Sequence, residues 1–275
     1  MRALMIFWKA VTLITDNLIP ALRITGPVIV LLAVFAAFAS QMIVDPMQQP
    51  MPRESMGRFV LVALIGAALY ITAFIWMVVA WHRFVLLAER PTGLLPAFNG
   101  KAMLGYAWRT ILVGFVLLPI FLIVGLVISP MMLSGLSAGA DMASFFVRGL
   151  MFQLVVGSLI GIVAYRIALI LPARAIDRPL AMGEAWEKTS GSAGTMFMLG
   201  LITTLFYLLL ALPQSFPMLS VDMSDPSAVT TMMEAQSGLM FQIYGLVVQW
   251  LTMLLGVSIL SVLYGHYVEG RDIGV

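Results

Sequence analysis

The chain has no cysteine and only two histidines, His82 and His266. Disulfides, thiolate metal sites and cysteine nucleophiles are therefore excluded, and the redox compartment leaves no trace in the sequence. Charge is also scarce: 10% of the 275 residues are Asp, Glu, Lys or Arg, against about 25% in a typical soluble domain. So few charges cannot cover a water-facing surface. Hydrophobic residues make up 61% of the chain and the mean hydropathy is +1.03, which is more apolar surface than one internal core absorbs. Much of it must face lipid. The net charge of +2 and pI near 9.0 reflect basic residues placed about a membrane, and no nucleic-acid signal accompanies them.

Long apolar runs are what the chain has in quantity. A spanning helix needs roughly 20 apolar residues, because every backbone polar group must be satisfied inside the bilayer. Six stretches qualify, so the expected fold class is an all-α polytopic membrane helix bundle. The first opens at Pro27 and runs to Ile43. The second runs from Phe59 to Leu87, long enough to tilt or project. The third lies between Arg109 and Asp141, with Pro119 as an interior kink and an end near Ser129-Pro130. The fourth runs from Phe145 to Leu171, the fifth from Met196 to Leu212 before Pro213 and Pro217, and the sixth from Leu239 to Tyr264. Ala37-Phe38-Ala39 before Ser40 resembles a signal-peptide cleavage site, but the residues preceding Pro27 make too long an n-region, and the segment is read as a span.

Basic residues orient the spans. Arg2, Lys9 and Arg23 precede the first span; Arg83, Arg90, Lys101 and Arg109 join the second to the third; Arg166, Arg174, Arg178 and Lys188 join the fourth to the fifth; Arg271 is in the tail. These are 12 of the 15 basic residues. The other side holds only Arg53, Arg58 and Arg148, beside Asp45, Glu54, Asp141, Asp222, Asp225 and Glu234. The basic side, with both termini, is expected in the cytoplasm.

An internal repeat is also visible. Gly105-Tyr106-Ala107-Trp108 precedes the third span and Gly183-Glu184-Ala185-Trp186 the fifth, followed by Thr110 and Thr189; Trp8 and Thr12 stand similarly before the first. Glu89-Arg90-Pro91, Asp177-Arg178-Pro179 and Glu269-Gly270-Arg271 follow the second, fourth and sixth spans. The predicted unit is an interfacial segment plus a helical hairpin, used three times within a single integral membrane domain, at 1–92, 93–180 and 181–275. In the first segment Leu4, Phe7, Trp8, Val11, Ile14 and Leu18 share one helical face and Arg2, Lys9, Thr12 and Asp16 the other, predicting a helix on the membrane surface. Trp8, Trp108 and Trp186 read as interfacial anchors.

The stretch Arg174-Ala175-Ile176-Asp177-Arg178-Pro179-Leu180, continuing to Glu184-Ala185-Trp186-Glu187-Lys188-Thr189, with Trp81-His82-Arg83, resembles six-span bacterial inner-membrane families related to the membrane domain of glycerophosphoryl diester phosphodiesterases. The catalytic domain of those phosphodiesterases is a separate soluble barrel, and no segment here matches it. The resemblance implies a fold in the bacterial inner membrane and no enzymatic activity.

Catalysis needs convergent titratable groups, metal ligands or an activated nucleophile. His82 and His266 lie at the ends of spans without the His-Glu spacing of a zinc protease, and are read as structural, with no metal and no cofactor. No Asp, Glu, Arg or His falls near a predicted midplane, where ion-coupled transporters place them. Methionine is abundant, with 21 residues, and Met42, Met47, Met51 and Met56 cluster on the predicted outer side; adaptable apolar packing is preferred over a Cu(I) site. Gly157 and Gly161 form a small-residue motif for close helix packing. The basic collar of Arg83, Arg90, Arg166, Arg174 and Arg178 is the expected place for an acidic lipid headgroup or an acidic partner segment, with Arg83, Arg166 and Arg174 in one groove and Asp177, Glu184 and Glu187 able to neutralise them internally. The expected role is non-enzymatic: contact with membrane lipids, or service as an accessory or scaffold to a membrane-protein partner. The alternative is a transporter or channel for a small or amphiphilic solute.

The orientation makes a direct prediction. Cysteines placed at Ser137 and Ser227 should react with an impermeant thiol reagent added to intact cells, and cysteines at Ser192 and Gly270 only after lysis. Labelling of the last two in intact cells would reverse the assignment.

Overall fold

The computed structural model describes residues 1–42, 53–91, 93–137, 142–219 and 238–273, and all its regular structure is helical. In chain order the helices are α1 (Arg2–Thr15), α2 (Leu18–Met42), α3 (Arg53–Leu87), α4 (Gly100–Ser137), α5 (Met142–Ile167), α6 (Ile170–Ala175), α7 (Met182–Lys188), α8 (Ala193–Leu219) and α9 (Leu239–Tyr267). Six segments are long and apolar enough to cross a membrane: one each in α2, α3, α4, α8 and α9, and one running through α5 and α6. The chain is a multi-pass helical membrane protein.

The spans are longer than the sequence predicts, and proline explains most of the difference. α2 begins at Leu18, well before Pro27, and continues through that proline. α4 begins at Gly100, so Tyr106 and Trp108 lie on the spanning helix and no separate interfacial helix precedes it. It passes through both Pro119 and Pro130. α8 likewise continues past Pro213 and Pro217 to Leu219. A proline removes one backbone hydrogen bond, but in lipid the alternative is to expose several more, and the helix persists. Among the described residues one span breaks, between α5 and α6. Pro172 has no N–H to offer the Ala168 carbonyl, which instead accepts from Leu171 N at 2.9 Å in a tighter turn. At about 1.5 Å per residue α3 and α4 are each over 50 Å long, beyond the roughly 30 Å of hydrocarbon, so both must tilt or project.

α5 and α8 pack most intimately. A Cβ on Gly200 would lie 2.9 Å from Gly157 O, and one on Gly161 would lie 3.1 Å from the Gly200 Cα. The small residues bring the two backbones together inside one chain, using dispersion where no hydrophobic gain is available. Around this pair the core gathers Ile6, Trp81, Leu169, Met196, Leu199, Leu254, Ile259 and Leu263, all essentially inaccessible. Outward-facing Leu61, Leu64, Leu104, Phe115 and Leu126 on α3 and α4 form the surface for lipid.

α1 differs from expectation in which face it buries. Ala3, Ile6, Phe7, Ala10 and Ile14 pack inward against α8 and α9, with the Phe7 and Phe206 rings edge to face at 5.5 Å, while Leu4, Trp8 and Leu18 are exposed. The hydrophobic arc is wide enough to be shared: its alanine side meets protein and its leucine and tryptophan side faces outward. Ser192 is buried and Gly270 is left-handed at φ 70°, so exposed Ser190 is the better labelling position at that end.

Gly200→Leu should lower stability in mild detergent by about 3 kcal/mol, because backbone rather than a yielding side chain occupies the space. Gly114→Ala, whose new methyl meets nothing within 4 Å, should be neutral or raise stability by up to about 1 kcal/mol. Equal melting shifts for the two would show that the α5–α8 contact is dispensable.

Candidate functional site

Three span ends meet at one end of the bundle. The chain turns out of α3 through Ala88 at φ 55°, out of α6 through Asp177 at φ 58° and out of α9 through Gly270 at φ 70°. Arginines tie these ends in a closed circuit. Arg83 of α3 donates to Ala175 O at 3.1 Å and pairs with Asp177 at 3.1 Å and Glu89 at 2.6 Å. Arg178, beyond α6, pairs with Glu269 at 3.0 Å, and Arg271, beyond α9, donates to Leu86 O at 2.9 Å, returning to α3. Arg271 also lies 2.7 Å from Glu269 Oε2 as an ion pair without hydrogen-bond alignment. Each guanidinium that reaches a terminal carbonyl satisfies an orphan acceptor where the helix dipole is negative.

Arg174 extends the circuit to α4. It pairs with Asp177 at 2.9 Å and donates to Lys101 O at 3.1 Å, lying across Gly105, where any Cβ would collide with the guanidinium. Gly183, which precedes an Ala-Trp pair as Gly105 does, has open space instead. Arg109 donates to Leu180 O nearby.

The structure therefore brings Arg83, Arg174 and Arg178 into one collar, but not Arg166. That side chain donates to Thr189 Oγ1 at 3.0 Å and Trp186 O at 2.9 Å, with its guanidinium 3.5 Å above the Trp186 ring. It fastens α5 to α7, and the groove expected to join Arg83, Arg166 and Arg174 does not form. The internal neutralisation runs through Asp177, Glu89 and Glu269, whereas Glu184 pairs with Lys188 at 3.8 Å. Arg90 is exposed and makes no hydrogen bond or ion pair among the described residues. Trp8 and Trp108 are each 60% exposed, and Trp186 is 41% exposed beneath Arg166.

Deeper in the bundle, polar side chains pair across helices. Trp81 donates to Ser258 Oγ at 2.9 Å, His82 Nδ1 lies 2.8 Å from Ser261 Oγ, and Trp250 donates to Thr25 Oγ1 at 2.8 Å. His82 is fully buried, with Nε2 unpartnered among the described residues. His266 bonds instead with Arg271 O at 3.1 Å, so the two histidines do not share a site. No group of three or more His, Asp or Glu that could hold a metal occurs among the described residues. Of the methionines in the copper reading, Met47 and Met51 lie outside the described residues.

Away from the collar, α3, α5, α8 and α9 part to leave a crevice of about 550 Å³. Phe74, Phe146, Leu208 and Met253 supply apolar wall, and Gln153, Gln249 and Thr252 supply polar atoms. A second hollow of about 620 Å³ shares Gln249 and Thr252 and adds Gln214 and Gln242. The sequence reading passed over these glutamines because they are uncharged. The available signal was four carboxamides inside apolar runs, with Gln242 and Gln249 seven residues apart on one face of α9.

The fold and its two candidate regions define a class, an all-α multi-pass membrane protein with an ionic collar at one end and a side-opening crevice toward the other. No family model, curated protein or solved structure matches the chain.

Asp177→Asn removes the carboxylate that Arg83 and Arg174 share while keeping a residue that tolerates a left-handed backbone. Since the carboxylate is 42% exposed, the expected loss is about 1 kcal/mol. It should shrink in about 1 M salt, where the Debye length is roughly 3 Å. A salt-independent loss in thermal denaturation would contradict an electrostatic collar.

Proposed function

We propose that this protein is a non-enzymatic membrane component that binds an amphiphile from the lipid phase in the crevice between α3, α5, α8 and α9. The single observation carrying this reading is the crevice: about 550 Å³, apolar-walled, with exposed carboxamides of Gln153 and Gln249 at its edge. Its volume falls within the range of small-molecule sites. A primary amide facing hydrocarbon without a partner, as that of Gln153 does, costs several kcal/mol, so an occupant that bonds to it removes that cost.

In this reading the collar is the cytoplasmic end, both termini are cytoplasmic, and the membrane is the bacterial inner membrane of the resemblance. The three units at 1–92, 93–180 and 181–275 place their span ends in the collar, and α1 with its exposed Trp8 lies at the interface. Arg83, Arg174 and Arg178 act chiefly as ties between helices and as topogenic charges. Arg90 is left to meet lipid phosphate or an acidic partner.

The transporter reading is second. Between collar and crevice, α3 and α9 are joined by Trp81–Ser258 and His82–Ser261, and a binding protein needs no path through them. Ala211 lines the crevice, so Ala211→Trp should fill it. Labelling of the chain by a photoactivatable fatty-acyl probe should fall several-fold while the melting temperature changes little. Unchanged labelling at unchanged stability would remove the crevice from consideration as the binding site.

A further inference from the structure

Of the polar side chains lining the crevice, the hydroxyls of Tyr207, Ser215 and Thr252 donate to backbone carbonyls, which leaves the carboxamides as the groups turned to an occupant. Gln153 in the crevice and Gln214 in the adjoining hollow make no hydrogen bond among the described residues. Gln214 lies against α9 where Gly245 leaves room: a Cβ there would come within 2.7 Å of the amide nitrogen. Gln249 uses its NH2 on Tyr70 Oη at 3.0 Å, which leaves its carbonyl oxygen able to accept. No residue lining either hollow carries a formal charge. The nearest cation along α5, Arg148, is five residues from Gln153 and so about 140° around the helix from it.

We infer that the crevice selects a neutral lipid with a hydroxyl or amide head, of the diacylglycerol type. This inference rests on the crevice being the amphiphile site. A carboxamide presents a donor and an acceptor side by side, and so does the group it suits: a hydroxyl or amide that both gives and takes a hydrogen bond. A phosphate only accepts and an ammonium only donates. Either would also bring a charge into a site without a counter-charge, at a cost that one or two neutral hydrogen bonds do not offset. Position agrees with the chemistry. Gln249 lies about 27 Å along α9 from Tyr267, in a hydrocarbon layer roughly 30 Å thick, so a head bound there sits below the far headgroup layer with its chains leaving sideways into the bilayer. A second copy of the chain fits less well, since the amides line a concavity that a flat helix face would bridge without entering.

The test uses the full chain in phosphatidylcholine nanodiscs with four diazirine probes: diacylglycerol, phosphatidic acid and phosphatidylcholine analogues with identical chains, and a headless alkane. The diacylglycerol probe should label residues lining the crevice roughly tenfold more than either charged-head probe, a difference the size of one or two hydrogen bonds. Gln153→Leu/Gln214→Leu should erase that preference while alkane labelling of the crevice persists, which also shows that the variant is folded. Equal labelling by the three heads, or preference for phosphatidic acid, overturns the headgroup assignment while leaving an amphiphile crevice. Absence of crevice labelling by every probe, the alkane included, overturns the crevice reading itself. A disulfide between two copies carrying Gln153→Cys, formed in place of lipid labelling, assigns the amides to self-association and overturns the inference.

Discussion

A bilayer offers no water to an unpaired polar group, and most of this architecture follows from that. Backbone amides are satisfied by keeping each span helical, even through Pro27, Pro119 and Pro130. Several buried side chains follow the same rule. The indole N–H groups of Trp81 and Trp250 and the imidazole of His82 each find a hydroxyl on another helix. Serine and threonine spend their remaining capacity on their own helix, as Ser261 does with Val257 O and Thr25 with Ala21 O. Specificity of packing thus comes from a few polar pairs and from the α5–α8 glycines, because apolar side chains are as comfortable in lipid as in the core.

At the collar the problem is reversed, since helix ends leave carbonyls without partners. Arginine is suited to this, with a planar fork that reaches a carbonyl and a carboxylate together. Arg83 does so with Ala175 O, at the end of α6, and Asp177; Arg174 joins Asp177 to the first turn of α4 through Lys101 O. The arginines at this end therefore join helices that lie far apart in the chain. Individually these half-exposed pairs are weak, and the closed circuit from α3 to α6 to α9 and back gives them their collective effect.

The two regions differ in what they leave unsatisfied. In the collar nearly every charge has a protein partner, with Arg90 the clear exception among the predicted binding residues. In the crevice and the hollow beside it, the amides of Gln153 and Gln214 respectively have none among the described residues. Unfilled hydrogen-bonding capacity in a low-dielectric setting is where an external group gains most. This asymmetry moves the proposed site from the arginines to the glutamines.

Composition and hydropathy by themselves determined the class and the number of candidate spans, because transfer into lipid is nearly additive over residues in a window. The recurrence of an acid after the second, fourth and sixth spans was also legible, and Glu89, Asp177 and Glu269 all enter the collar. Span limits at prolines were misread because a local rule from water was applied where lipid makes breaking a helix costlier than bending it. Which side of α1 turns inward, that Arg166 leaves the collar for Trp186, and that glutamines from three helices line two neighbouring hollows are decisions of tertiary structure. They depend on which helices become neighbours, and residues far apart in the chain acquire a common environment only once the bundle has closed.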